Sequence, residues 1–297
     1  MCRLFGFRSA VPSRAHHSLL SAENALALQS TAHPDGWGIG WITGDDAYVV
    51  KSANPAHACE RFRRASARLT SHTFVVHVRR ATVGHVDHLN AHPFRFGRWL
   101  FAHNGTLFGF EQLQAWMLER IHPAFQPLIL GDTDSEHLFY YVLSALIDAG
   151  ADRDGRGHSC ASTAASALRG ALAALDAQAV ALGLERPITN VLVTDGEIFL
   201  GHRAGMPLLL STQKRHCGEA ETCPEPLKPC LEPVRPPGAA VNHLLLASER
   251  IATDQNLWEE VPEGTTVVLD QAFGLSFIEP PEGWTAPELP ARYRSAS

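Results

Sequence analysis

The chain has 297 residues, enough for one large domain or two modest ones at roughly 150 residues each, and either can bury a substantial core. Lys and Arg total 25 against 31 Asp and Glu, a formal charge of −6, with 45% hydrophobic and 19% charged residues. That balance excludes disorder as the main state, and it lacks the overall basic footprint that nonspecific nucleic-acid or anionic-membrane binding requires.

Arginines at positions 3 and 8 interrupt any signal-peptide core, and no apolar run approaches the roughly 18 residues of a membrane span. The expected location is cytoplasmic, with reduced thiols. The six cysteines, Cys2, Cys59, Cys160, Cys217, Cys223 and Cys230, contain no C-x-x-C pair, which argues against a zinc ribbon or a thioredoxin-like motif.

Residues 3–9 are apolar on both faces and predict a short buried strand, while 16–29, with Leu19, Leu20, Ala27 and Leu28, predict a helix. Residues 37–43 and 48–51 are β-rich runs around Gly44-Asp45-Asp46, a hairpin pattern. A surface helix is predicted over 55–69, which opens on proline, and a strand over 73–79. The polar loop 80–98 leads to a strand at 99–103, which Asn104-Gly105 is expected to end. Helices are predicted at 111–120, 133–149 and 162–182, the last rich in alanine. Strands return at 188–194, 198–202, 207–211, 242–247, 265–269 and 275–278, with Asp195-Gly196-Glu197 as a second hairpin turn. Strands, then helices, then strands, without strict β-α-β alternation, predict an α+β layered sandwich rather than a doubly wound sheet.

The segment 213–240 is dense in proline and reads as a loop or insertion between two strands. His216, Cys217, Cys223 and Cys230 within it match no common zinc spacing, so no metal is assigned there. The expected organisation is one domain over 2–279 containing that insertion, followed by a C-terminal extension over 280–297.

Cys2 carries the main chemical argument. Removal of Met1 would leave its thiol beside a free α-amino group, which titrates near roughly 7.7–8.0 and is partly unprotonated at neutral pH. Such a residue activates its own nucleophile without a separate histidine. Arg79, in His77-Val78-Arg79-Arg80-Ala81-Thr82-Val83-Gly84, can grip a carboxylate with two parallel hydrogen bonds, although a surface ion pair reads the same way. Asn104-Gly105 offers a side-chain and a backbone N–H to a developing oxyanion, with a short turn as the structural alternative. Thr133 and Glu136 satisfy the capping-box pattern, so Asp134 between them sits at a helix start, where it can also face a ligand ammonium. His33-Pro34-Asp35-Gly36-Trp37-Gly38 reads as a structural, turn-rich entry to a strand. His85, His88 and His92 are spaced for one helical face, but Pro93 argues against a continuous helix, and no metal is assigned to them either. His77 alternates with apolar residues and reads as a buried, hydrogen-bonded histidine rather than a general base.

Met1-Cys2, Asp35-Gly36-Trp37-Gly38, His77-x-Arg79-x-Ala81-Thr82, Asn90-Ala91-His92-Pro93-Phe94, His103-Asn104-Gly105 and Thr133-Asp134-Ser135-Glu136 occur in one order. Together they resemble a class II glutamine amidotransferase of the N-terminal-nucleophile hydrolase type, and the resemblance extends to 190–203 and to Ala247-Ser248-Glu249. It implies a four-layer α-β-β-α sandwich with Cys2 as nucleophile. It implies further that Arg79, helped by Thr82, binds the α-carboxylate of glutamine or a γ-glutamyl substrate, that Asp134 binds the α-ammonium, and that Asn104 and Gly105 form the oxyanion hole. No cofactor or metal is expected.

Members of that family that make amino sugars, purine precursors, asparagine or glutamate carry an acceptor domain after the glutaminase domain. The residues after Ala247 are too few for one. The expectation is a stand-alone hydrolase acting on a linear γ-glutamyl amide, similar to the γ-glutamyl hydrolase of the ergothioneine pathway. Two alternatives stay open: a glutaminase subunit that delivers ammonia to a separate synthase, and a non-catalytic relative that binds glutamine or a partner protein.

Overall fold

The computed structural model describes residues 2–151, 160–215 and 239–289. The chain begins with β1 (Arg3–Ser13), a π-helical turn at His17–Ser21 and the short helix α1 (Leu26–Gln29). A hairpin of β2 (Trp37–Thr43) and β3 (Asp46–Ser52) precedes α2 (Glu60–Arg68), β4 (Ser71–Val78), β5 (Phe94–Phe96) and β6 (Trp99–Thr106). Three helices follow, α3 (Phe110–Leu118), α4 (Asp134–Asp148) and α5 (Ala161–Ala181). The remainder is β7 (Ile188–Thr194), β8 (Phe199–His202), β9 (Leu209–Lys214), β10 (His243–Ala247), β11 (Asn256–Glu260), β12 (Thr266–Leu269) and β13 (Leu275–Ile278).

These strands make two antiparallel sheets, one in the order β11-β9-β10-β1-β4-β2-β3 and the other β13-β12-β8-β7-β6-β5. Leu4, Val75, Leu100, Ala102, Leu192, Phe199 and Leu246 pack between them. The central strands are covered on both faces, which is why Phe74–Val76 in β4 and Val191–Val193 in β7 are unbroken apolar stretches rather than alternating ones. On the outer face of the first sheet, Leu19, Leu26 and Phe62 pack on Phe5, Trp37 and Phe74. The Trp37 and Phe62 rings meet edge to face at 5.0 Å, and burying each is worth roughly 1.5–3 kcal/mol. On the outer face of the second, α4 and α5 bury Leu138, Phe139, Leu168, Leu172 and Leu175 against Phe101, Val191 and Val193. The result is the expected α+β sandwich, layered α-β-β-α.

Several boundaries differ from the sequence reading. The predicted helix over 16–29 is broken, because the backbone is extended at Ala22 and Ala25. That break lets Asn24 donate to Glu249 and to the Arg250 carbonyl. Asn104 and Gly105 do not end the strand; they lie inside β6, opposite Asn190 and Thr189, and pairing along the whole of β7 overrides the local turn preference. β5 and β11 lie at sheet edges; β5 falls in the segment read as a loop, and β11 in one given no element. β9 runs on to Lys214, into the start of the predicted insertion, most of which lies outside the described residues together with His216, Cys217, Cys223 and Cys230. Among the described residues no helix is long and apolar enough to cross a membrane.

Candidate active site

β1 and β4 are antiparallel with Arg3 opposite Val78, so the residue before β1 meets the turn after β4. Cys2 lies there. The Arg80 N–H donates to its sulfur, and the thiol donates to the Arg80 carbonyl, both at 3.3 Å. Burial pushes the thiol above its ordinary pKa, and the Arg80 N–H with the Arg79 and Arg3 charges opposes that shift. Arg3 donates to the Cys2 carbonyl and pairs with Glu249, which fixes the backbone at Cys2.

Cys2, Thr82, Asn104 and Gly105 line one small recess, walled also by Arg80, Thr106, Ile188 and Met206. Gly105 is glycine for a steric reason: a Cβ there would collide with the Ile188 carbonyl oxygen and the His103 ring. Asn104 is buried in β6, and its Nδ2 donates to Ser248 Oγ at 3.3 Å.

Arg79 and Asp134 flank this recess without lining it. The Arg79 guanidinium donates from Nη1 to the His85 carbonyl and from Nη2 to the Val83 carbonyl, each at 2.8 Å, which holds the turn after β4 and leaves three donors. Asp35 Oδ2 accepts from Ala81 N–H, and Gly36 carbonyl from Arg79 N–H, so the Asp35-Gly36 turn braces the same segment. Asp134 opens α4, where Thr133 Oγ1 accepts from Glu136 N–H as the cap. Its Oδ2 accepts from Leu107 N–H at 2.9 Å, which ties the helix start to the end of β6.

His103 alternates with Asn104 across β6 and faces the helix layer. Its Nε2 donates to the Ile188 carbonyl at 2.8 Å, so the neutral ring carries its proton there, and Nδ1 lies 2.9 Å from Ser135 Oγ, whose hydroxyl donates to Asp134 Oδ1 at 3.1 Å. Burial favours that neutral ring against the attraction of Asp134. His77 is buried as expected, but it is not hydrogen-bonded. Its ring packs against His92 at 4.3 Å with the planes tilted by 52°, no partner reaches either ring's nitrogens among the described residues, and burial holds both well below the ordinary imidazole pKa. The spaced histidines are separated in space: His85 pairs with Asp132, His88 with Asp87, and His92 is buried with His77.

Two contributors escaped the sequence reading. Asn90 donates to Asp132 and to the His85 carbonyl, and Asp132 N–H donates back to Asn90 Oδ1, which closes the loop beneath Arg79. The Asn90-Ala91-His92-Pro93-Phe94 motif was the available signal. Ser248 follows the largely apolar strand β10 and touches both Asn104 and β1; the Ala247-Ser248-Glu249 segment of the resemblance was its sequence mark.

A sequence model of the class-II glutamine amidotransferases matches residues 1–284. An uncharacterized protein of Methanocaldococcus jannaschii is 33% identical over 153 residues, 49% of this chain and 39% of that protein. The gamma-glutamyl-hercynylcysteine sulfoxide hydrolase of Mycobacterium tuberculosis is 35% identical over 101 residues, 34% of this chain and 38% of that one. The matches therefore span less than half the length of these relatives. A glutamine aminotransferase class-II domain protein from Silicibacter pomeroyi shares the fold, with a TM-score of 0.61 and 20% identity, covering 94% of this chain and 99% of that one.

Proposed function

Since the chain belongs to the class-II glutamine amidotransferases, we propose that it is an amidohydrolase cleaving the γ-amide of glutamine or of a γ-glutamyl compound through a thioester on Cys2. The observation that carries this reading is the recess in which the Cys2 thiol meets Asn104 and Gly105. After loss of Met1 the α-amino group of Cys2 takes the thiol proton, and Sγ attacks the γ-carbonyl carbon. Asn104 Nδ2 and the Gly105 N–H stabilise the tetrahedral oxyanion. The C–N bond breaks, the amine leaves with the transferred proton, and water hydrolyses the thioester to release glutamate. Arg79 and Thr82 take the substrate α-carboxylate, and Asp134 its α-ammonium. Residues 2–279 serve as one catalytic unit. The relative in Mycobacterium tuberculosis, a hydrolase of a γ-glutamyl compound, supports this class of substrate.

The test is glutamate release from glutamine and from a panel of γ-glutamyl amides, with Cys2→Ala as control and intact mass measured in parallel. The wild type is expected to lack Met1 and release glutamate, and Cys2→Ala to lose activity by at least roughly 10³-fold. A protein that keeps Met1, or a Cys2→Ala variant as active as wild type, overturns the reading. Activity on glutamine alone marks an ammonia-supplying glutaminase, whereas selectivity for a bulkier amide marks a specialised hydrolase.

A further inference from the structure

We propose that Ser248 is the positioning residue that sets the donor face of the Asn104 carboxamide; this rests on the oxyanion role given to Asn104 above. A serine hydroxyl has two acceptor sites and one donor. Leu4 N–H occupies one acceptor site of Ser248 Oγ at 3.0 Å, and Asn104 Nδ2 occupies the other at 3.3 Å. Both lone pairs accept N–H groups, with the carboxamide nitrogen turned toward Ser248. One Nδ2–H is thereby held, and the second stays available to the substrate oxygen. Rotation of the carboxamide by a half-turn would bring its own oxygen to the developing oxyanion, replacing attraction by repulsion.

The placement in the fold supports the same role. Ser248 directly follows β10, which neighbours β1 in the first sheet, whereas Asn104 belongs to β6 in the second. Ser248 N–H also donates to the Leu4 carbonyl at 3.1 Å, and Leu4 is two residues from Cys2. Nucleophile and oxyanion donor, carried by different sheets, are thus referenced to one side chain. Ser248 and Asn104 are both buried, so water does not substitute readily for either bond.

Steady-state kinetics on the full-length protein test this, together with the rate at which a glutamine-like diazoketone alkylates Cys2, read by intact mass. Ser248→Ala is expected to lower kcat roughly tenfold with KM within about twofold, as loss of one buried hydrogen bond predicts. Ser248→Thr, which keeps the hydroxyl, is expected to retain most of the rate. Asn104→Ala is expected to lose roughly 10²–10³-fold, and adding Ser248→Ala to it to lose nothing more. Ser248→Cys replaces the alanine variant if thermal melting shows that alanine unfolds the protein. A Ser248→Ala enzyme with wild-type kcat and alkylation rate, or a double variant slower than Asn104→Ala by the full single-variant factor, overturns the proposal. A wild type that neither releases glutamate nor is alkylated overturns the amidohydrolase reading itself, and this role with it.

Discussion

Arg79 joins a structural role to the recognition role proposed for it. Two of its N–H groups hold the carbonyls of Val83 and His85, and Asp35, Asp132 and Asp134 surround it with negative charge, which opposes the burial that lowers its pKa. A lysine has three donors on a single atom and cannot span two carbonyls and a carboxylate in a plane. Arg79→Lys is therefore expected to raise KM for the γ-glutamyl substrate roughly 10- to 100-fold, the worth of a charge-assisted bidentate contact, with a smaller fall in kcat. Michaelis kinetics check it, and an unchanged KM removes Arg79 from recognition. Arg79 and Cys2 were singled out by residue type and local position. Asn104-Gly105 was ambiguous, because the contact that decides between turn and strand is with Asn190 and Thr189, far along the chain. The role proposed for Ser248 was not readable, since it depends on partners at Leu4 and Asn104 that only the packed sheets bring near.

At the scale of elements, long periodic segments were legible and short edge strands were not. α4 and α5 emerge where the apolar spacing and the Thr133 cap place them, whereas β11 carries Glu259 and Glu260 at an exposed sheet edge and has no apolar alternation to read. α5 also carries Asp176, set in a groove with Ala173, Ala177 and Trp284. Burial raises its pKa from an ordinary 3.8 to about 6, against the pull of Arg186. The folded state therefore binds the proton more tightly than the unfolded state, and the favourable contribution, complete below about pH 3.8, is lost as pH rises through 6. Asp176→Asn removes that charge penalty and is expected to raise Tm at pH 7.5 by about 2–4 °C, with the difference vanishing near pH 4. Paired melting curves at the two pH values decide, and a variant less stable than wild type at pH 7.5 contradicts the account.

Across the whole molecule, the layered architecture followed from element order alone, but the number of histidines it encloses did not. His77 and His243 lie in the first sheet, His202 in the second, and His92 packs on His77. Burial lowers all four, His202 and His243 to about 3 and the other two well below their ordinary value of 6.5. In the folded state they stay neutral, while in the unfolded chain they take up protons as pH falls below 6.5, so stability is lost on acidification. Each such imidazole costs about 1.4 kcal/mol by pH 5.5, and the four together about 5.6 kcal/mol, a large share of the roughly 5–15 kcal/mol that holds a domain folded. Asp176 acts in the opposite sense over part of this range and offsets a fraction of the loss. Urea unfolding at pH 7.5 and pH 5.5 is expected to show that difference, and His243→Gln to narrow it by about 1.4 kcal/mol. Equal unfolding free energies at the two pH values would mean that the folded chain protonates these rings as readily as the unfolded one, and that water reaches the layers between which they lie.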